Sequence, residues 1–149
     1  MPSAATAGTA NAAFEAYQDY GEIALPNSLG SIATLTIPSP GKYIVSAKFE
    51  AVNNFGNASN SNLCVLNGGV GGVNGGAAGP IAIDQIDFNV PAAVPKSISV
   101  VALQGGRDFP VPGQVTVDCE DSGDDVVASN IKVTAFQVAQ LTFTSFHAP

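Results

Sequence analysis

Residues 41–51 read GKYIVSAKFEA, and the alternation in this segment decides the fold class. Every second residue is apolar, a period of two that is typical of a β-strand with one buried face. The apolar face consists of Tyr43, Val45, Ala47, Phe49 and Ala51. The opposite face is mostly polar, and Ile44 is its one apolar residue. The segment therefore predicts a half-buried antiparallel strand.

The same pattern recurs along the chain, with turns rich in Pro and Gly between short apolar runs. The predicted strands are Gly21–Leu25, Ser31–Ile37, Leu63–Leu66, Ile81–Val90, Lys96–Leu103, Gln114–Glu120 and Asn130–Leu141, the last preceded by a short strand that opens at Val126. A slip in the alternation of Ile81–Val90 predicts a β-bulge. Counting predicts roughly eight to ten short strands and no amphipathic helix, which is typical of a β-sandwich or jelly roll.

Three segments interrupt this pattern. Phe14–Tyr20 reads either as a short helical turn or as an irregular aromatic anchor, and the sequence does not choose between them. Gly105 and Gly106 read as the start of a loop that continues through two prolines. Residues 67–80, NGGVGGVNGGAAGP, contain too many glycines to favour a regular element.

Length and composition indicate one domain that belongs to an assembly. With 149 residues the chain has the size of a single domain, and we expect residues 1–20 to form an extended N-terminal arm and residues 21–149 the domain. Apolar residues make up 46% of the chain but charged residues only 11%. A surface so poor in charge is most easily explained by burial against other subunits.

Charge and hydropathy also exclude two classes of partner. The net charge of −7, with only five basic residues, argues against nucleic acid, which requires a basic surface. No apolar run approaches the ~18 residues of a membrane-spanning helix. The N-terminus lacks the basic and hydrophobic regions of a signal peptide. We therefore expect neither a nucleic-acid partner nor a membrane anchor, and no signal peptide.

Cys64 and Cys119 both fall within predicted strands, and two interpretations of them remain open. Cys119 is in phase with Val115 and Val117 and should face the core, whereas the phase of Cys64 is ambiguous because apolar residues flank it on both faces. Either both cysteines are buried reduced thiols or they form a disulfide between neighbouring strands. Their spacing matches neither a zinc site nor a redox motif.

Two segments resemble a known family. The turn and strand Pro40–Val45 is similar to the P-G-x-Y-x-V segment of compact jelly-roll domains of the tumour-necrosis-factor (TNF) and C1q type, which include bacterial and phage members that cap fibres and decorate capsids. The late strand Asn130–Leu141 carries the resemblance further, and the segments NLCVLNGG and GQVTVDCED look like bacterial and phage jelly-roll proteins of unassigned function. The resemblance covers about residues 20–142.

The resemblance implies a single-domain, all-β jelly roll that assembles as a homotrimer through aromatic and aliphatic side chains. In this chain Tyr43, Phe49, Phe88, Phe136 and Val138 are available for such contacts, or simply for the core of one subunit. The late strand is apolar on both faces, which is typical of a central strand or of one at a subunit interface, and Phe136 and Val138 are its predicted contact residues. Aromatic residues near the arm, Phe14, Tyr17 and Tyr20, complete the predicted subunit contact.

The candidates for chemistry are few. Asp118, Glu120, Asp121, Asp124 and Asp125 are close enough in sequence to surround a calcium ion, although a solvated turn is the simpler interpretation. His147, the sole histidine, has no Ser or Cys in a nucleophile motif beside it. Glu15 and Glu22 form a carboxylate pair only if the fold brings them together. We therefore predict no enzymatic activity and no cofactor.

These observations predict a structural protein of a virion. The favoured role is a phage capsid decoration, or cement, protein that assembles in the host cytoplasm, trimerises and stabilises the shell by contact with the major capsid protein or another virion subunit. The alternative is a tail-fibre tip or adhesin domain that binds a receptor or glycan. In that case the loops at Asn53–Asn62 and Gly68–Gly79 would supply the contacts.

Overall fold

The computed structural model describes residues 12–18, 21–54, 59–70, 81–92, 96–123 and 125–144. This part of the chain is all β. Its strands are β1 (Ala13–Tyr17), β2 (Ile23–Ala24), β3 (Gly30–Ile37), β4 (Gly41–Asn53), β5 (Ser59–Val70), β6 (Ile81–Val90), β7 (Ser97–Phe109), β8 (Gly113–Asp121) and β9 (Val126–Val138). No helix long and apolar enough to cross a membrane occurs in these described ranges.

The strands form two antiparallel sheets that pack face to face. The first sheet has the order β1-β9-β4-β7, with β2 also paired to β9, and the second has the order β3-β8-β5-β6. The pairings are nested: β5 pairs with β6, β4 with β7, β3 with β8, and β1 and β2 with β9. The described chain thus follows one long antiparallel hairpin. Successive paired segments of this hairpin lie alternately in the first sheet and in the second sheet.

The core lies between the two sheets and is built from the alternation that the sequence shows. Along β4 the five apolar residues of the predicted buried face are almost fully buried, and β8 buries Val115, Val117 and Cys119 in the same way. Tyr43 packs edge-on against Phe109, with ring centroids 5.8 Å apart, and its hydroxyl donates to the Ser39 carbonyl at 3.0 Å. The alternation of β4 therefore gives the buried face that the sequence predicts.

Several boundaries differ from the sequence predictions. Phe14 lies in β1, so neither the helical turn nor the irregular anchor is correct for Ala13–Tyr17. The predicted late strand and the short strand before it are one continuous strand, β9. Leu63–Leu66 is the middle of the longer β5, whereas Gly21–Leu25 contains only the two residues of β2. The predicted bulge in β6 is present, because the pairing with β5 shifts register beside Ile83.

Gly105 and Gly106 lie within β7 and do not start a loop, so the prediction there was wrong. A side chain at Gly105 would collide with Ile83 of β6, and one at Gly106 would come within 3.0 Å of the Leu141 side chain. Glycine inside a strand often marks such a close approach. The strand therefore continues to Phe109, and the turn falls at residues 110–112.

One side of the sandwich is closed and the other has a cavity. On the closed side, β6 lies against β7, and the Asp84 carboxylate accepts a hydrogen bond from the Gln104 backbone N–H at 2.9 Å. On the other side the edge strands β1 and β3 face each other across the gap between the sheets. A cavity of about 290 Å³ lies there.

Candidate subunit interface

The outer face of the first sheet, which points away from the core, carries most of the exposed large apolar side chains. Eight such side chains are exposed in the described residues, and five belong to this face or to the chain that covers it. These five are Tyr17, Ile98, Val100, Phe136 and Phe143. The other three are Leu29, Ile81 and Val111, and of these Ile81 lies on a strand of the second sheet, β6. A concentration of exposed apolar side chains on one face is typical of a protein contact site.

The most apolar part of this face is organised around Gly106. The register places Phe136 opposite Ile44, and Ile44 opposite Gly106, in one row across β9, β4 and β7. The segment after β9 returns over this row, and a side chain at Gly106 would contact both Leu141 and Phe143. Phe136 is 53% exposed and Phe143 is 72% exposed. We call Ile44, Phe136, Leu141 and Phe143 the apolar cluster.

A second apolar strip runs along the edge strand β7 at the other end of the same face. Ile98 and Val100 are 52% and 62% exposed, and Ala102 follows them. In the neighbouring strand β4, Val52 lies opposite Ile98 and is buried on this outer side. Between the strip and the apolar cluster lie polar rows in which Ser46 and Thr134 share a hydrogen bond of 2.7 Å.

The charges of the chain divide between the two sheets. No Lys or Arg occurs on any strand of the second sheet, whose strands carry Asp84, Asp87, Asp118, Glu120 and Asp121. Lys42, Lys48 and Lys132 lie on the outer face of the first sheet, where Lys42 is opposite Asp108, Lys48 is opposite Lys132, and Lys132 pairs with Glu15 at 3.3 Å. The outer face of the first sheet is thus nearly neutral and the second sheet is acidic. Of these two surfaces, only the outer face of the first sheet suits burial against another copy of the chain.

The residues predicted for the subunit contact divide in two. Tyr17 and Phe136 are exposed on the outer face of the first sheet, and Val138 is half-buried at its end. Phe14 instead packs against the core, with its ring centroid 6.1 Å from that of Tyr43, so we remove it from the contact. Tyr43 and Phe49 are core residues, and Phe88 is half-buried against the core. Tyr20 lies outside the described residues.

The carboxylates proposed for calcium do not converge. Asp118 and Glu120 project from the outer face of β8, whereas Asp121 is fully buried on the inner side. Asp124 lies outside the described residues. Within the described ranges no group of three or more His, Cys, Asp or Glu side chains is placed to hold a metal ion. The described residues therefore give the calcium interpretation no support, since strand alternation places Asp121 on the opposite face from Asp118 and Glu120.

Asp121 and Asp118 each have a structural role. Asp121 accepts hydrogen bonds from the backbone N–H groups of Gly123, Asp125 and Val126, at 3.0, 2.8 and 2.9 Å, and so shapes the turn between β8 and β9. Asp118 accepts hydrogen bonds from the side chains of Ser31, Asn67 and Thr116, which ties β3, β8 and β5 together. Neither arrangement leaves the carboxylate free to bind a ligand.

Cys64 and Cys119 form a disulfide, which decides between the two open interpretations. They lie opposite each other on β5 and β8, their Cα atoms are 4.1 Å apart, and both side chains are fully buried. Cys64 therefore faces the core together with Leu66, and Val65 faces outward. The bond links two central strands of the second sheet.

The remaining sequence candidates are described only in part. Glu15 forms the exposed ion pair with Lys132, and Glu22 is exposed before β2. His147 lies outside the described residues, as do residues 55–58 and 71–80 of the loops proposed for glycan contacts.

Comparison with protein-family models and with curated proteins finds no match for this chain.

Sequence reasoning missed four contributors to this face. Leu141 and Phe143 follow the last strand, and only the fold shows that they return over Gly106. Ile98 and Val100 alternate with Ser97 and Ser99 and were assigned only to a strand. Ile44 was visible as the one apolar residue on the polar face of β4, and this was the sequence signal that could have located the apolar cluster.

Proposed function

We propose that this chain is a jelly-roll domain and a non-enzymatic structural protein of a virion, a capsid decoration protein that self-associates as a trimer. The nested pairing of β3–β8, β4–β7 and β5–β6, closed by β1 and β2 on β9, supports the jelly-roll assignment, since this fold arises when one long antiparallel hairpin wraps into two sheets. The resemblance of Pro40–Val45 to TNF and C1q-type domains points the same way.

The observation that carries the proposal is the concentration of exposed apolar side chains on the outer face of the first sheet. Ring assembly needs two different, complementary surfaces on each subunit. We assign the apolar cluster around Gly106 to one of them. Burial of aromatic side chains supplies most of the energy of such contacts. Binding that occurs only in the folded state stabilises both the subunit and the shell that it contacts.

The disulfide supports the virion surface as the final location. Disulfides persist on virion and cell surfaces and are rare in the cytosol. A protein made in the host cytoplasm and displayed on a released particle would complete the Cys64–Cys119 bond after leaving the reducing compartment. Formation of the disulfide at this late stage is compatible with assembly in the cytoplasm. It is also compatible with residence on the virion.

Attachment to a shell tests the function directly. Purified protein would be added to shells of the source virus that lack it, and occupancy measured by electron microscopy and gel densitometry. A truncated protein without residues 2–11 keeps β1 intact, because Ala12 is hydrogen-bonded to Gln137 and the strand begins at Ala13. We expect saturable binding by the full chain and loss of occupancy on truncation. Absence of binding by the full chain would reject the decoration role.

One observation favours the second candidate, a glycan-binding domain of a fibre tip. A depression of about 340 Å³ lies on the second sheet and is lined by polar side chains that include Ser61, Asp87 and Glu120. Half-buried Phe88 also lines it. Carbohydrate arrays distinguish the candidates: saturable binding that is lost in Asp87→Ala but kept in Asp108→Ala would favour the glycan role.

A further inference from the structure

The edge strand β3 lacks the protection that natural sheet edges normally have. Its eight residues, GSIATLTI, contain no charged residue and no proline, and within the described chain β8 is the sole strand that pairs with it. Its one irregularity is a register shift between Ser31 and Ala33. From Ala33 to Ile37 no described strand pairs with the outward backbone groups. Exposed edges of this kind are templates for strand addition.

The cavity beside this edge is apolar and uncharged. It has a volume of about 290 Å³ and opens between β1 and β3, and its apolar lining consists of Ala16, Ile23, Ile32, Ala33 and Ile131. Among the described residues that border it, Tyr17 carries the one ionisable side chain. A charged group entering this space would lose its hydration without finding a partner. An aliphatic group entering the same space would not carry this desolvation cost.

A buried amide oxygen in the same cavity has no hydrogen-bond partner. Gln18 lines the cavity, its backbone N–H donates to the Ile131 carbonyl at 2.9 Å, and its side-chain Oε1 is buried and unpaired. Buried polar atoms without partners are rare in native proteins, and each calls for an explanation.

We propose that β3 and this cavity bind an extended, uncharged peptide segment of another protein. The segment pairs with the free edge of β3 through its backbone, places one aliphatic side chain in the cavity and donates an N–H group to Gln18. Backbone pairing supplies affinity and the pocket supplies specificity, which is the recognised mode of strand addition. The neutral lining selects a neutral segment. This inference goes beyond the proposed function, since it concerns the sheet edge and not the outer face.

The probe is a synthetic heptapeptide, acetylated and amidated, of sequence Ser-Thr-Val-Thr-Leu-Thr-Ser, titrated into the isotopically labelled full chain and followed by NMR. We expect amide shifts confined to Ala33–Ile37 and the Gln18 side chain. Replacing the peptide leucine by alanine should weaken binding roughly tenfold to thirtyfold, because about three buried carbon atoms are lost. N-methylation of alternate peptide amides should abolish binding, because it removes the backbone donors.

Two variants locate the site. Ala33→Leu fills the cavity and should weaken peptide binding about tenfold or more, whereas Ala102→Leu, on the exposed face of the opposite edge strand β7, should leave the affinity unchanged. Gln18→Ala should weaken binding without lowering the melting temperature. Shifts on β7, or equal binding of the N-methylated peptide, would overturn the proposal. So would concentration-dependent pairing of two copies through β3, which would assign the edge to a second copy of this chain.

Discussion

The Cys64–Cys119 bond permits the most quantitative prediction. The two residues are 55 positions apart, and the loop-closure expression for a cross-link of that size gives about 4 kcal/mol at 25 °C. We therefore expect the double variant Cys64→Ala/Cys119→Ala to lose about 4 kcal/mol of unfolding free energy. Urea denaturation monitored by circular dichroism measures this loss. The slope of free energy against urea should also rise, because an unlinked unfolded chain exposes more surface.

Reduction provides the matched test of the same prediction. Dithiothreitol should destabilise the wild-type protein by nearly the same amount and should not affect the double variant. Val117→Ala, a core truncation on the same strand, should cost about 2 kcal/mol in oxidising and reducing buffer alike, since its effect is lost packing and not a lost cross-link. If reduction changes the wild-type stability by less than about 1 kcal/mol, the cross-link does not contribute as calculated.

Three further predictions concern individual side chains. Asp121→Ala should destabilise the protein by about 2–4 kcal/mol in urea denaturation, because three buried or partly buried N–H groups lose a charged acceptor. Asp121→Asn should cost roughly half as much. Equal stability of Asp121→Ala and the wild type would contradict this role. Gly41→Ala should cost about 1–3 kcal/mol by thermal denaturation, since Gly41 has φ of 155° and its added methyl would meet the Gln137 side chain. Glu15→Gln should change stability by less than about 1 kcal/mol, because both partners of its ion pair are largely exposed; a larger loss would mean that this pair matters more than its exposure indicates.

The fold followed from the sequence wherever one face of a strand is apolar and the other polar. The alternation of β4 and β8 predicted their buried residues, and the slip near Ile83 predicted the bulge. Prediction failed at Gly105 and Gly106, because local preference reads paired glycines as a turn, whereas here they permit β6 and the chain after β9 to approach β7. That requirement is tertiary and leaves no local signal.

The candidate site was predictable only in part. Phe136 was recognisable because β9 is apolar on both faces, but Phe14 could not be assigned to the core until the pairing of β1 with β9 was known. The phase of Cys64 was ambiguous because Leu63, Val65 and Leu66 surround it, and the register between β5 and β8 decided it. The alignment of Ile44, Phe136 and Gly106 depends on register across three strands, which sequence alternation alone does not specify.

The measurement that tests the central claim most directly is the oligomeric state of the protein, determined by sedimentation equilibrium over a range of concentrations. If the outer face of the first sheet is the subunit contact, the wild-type protein forms a trimer, and Phe136→Lys sediments as a folded monomer whose circular dichroism spectrum matches that of the wild type. Its melting temperature should be lower than that of the trimer, because the stabilisation from assembly is lost. Gln85→Lys, exposed on the outer face of the second sheet, remains a trimer. A wild-type protein that stays monomeric at every concentration, or a Phe136→Lys variant that remains trimeric, would contradict the account.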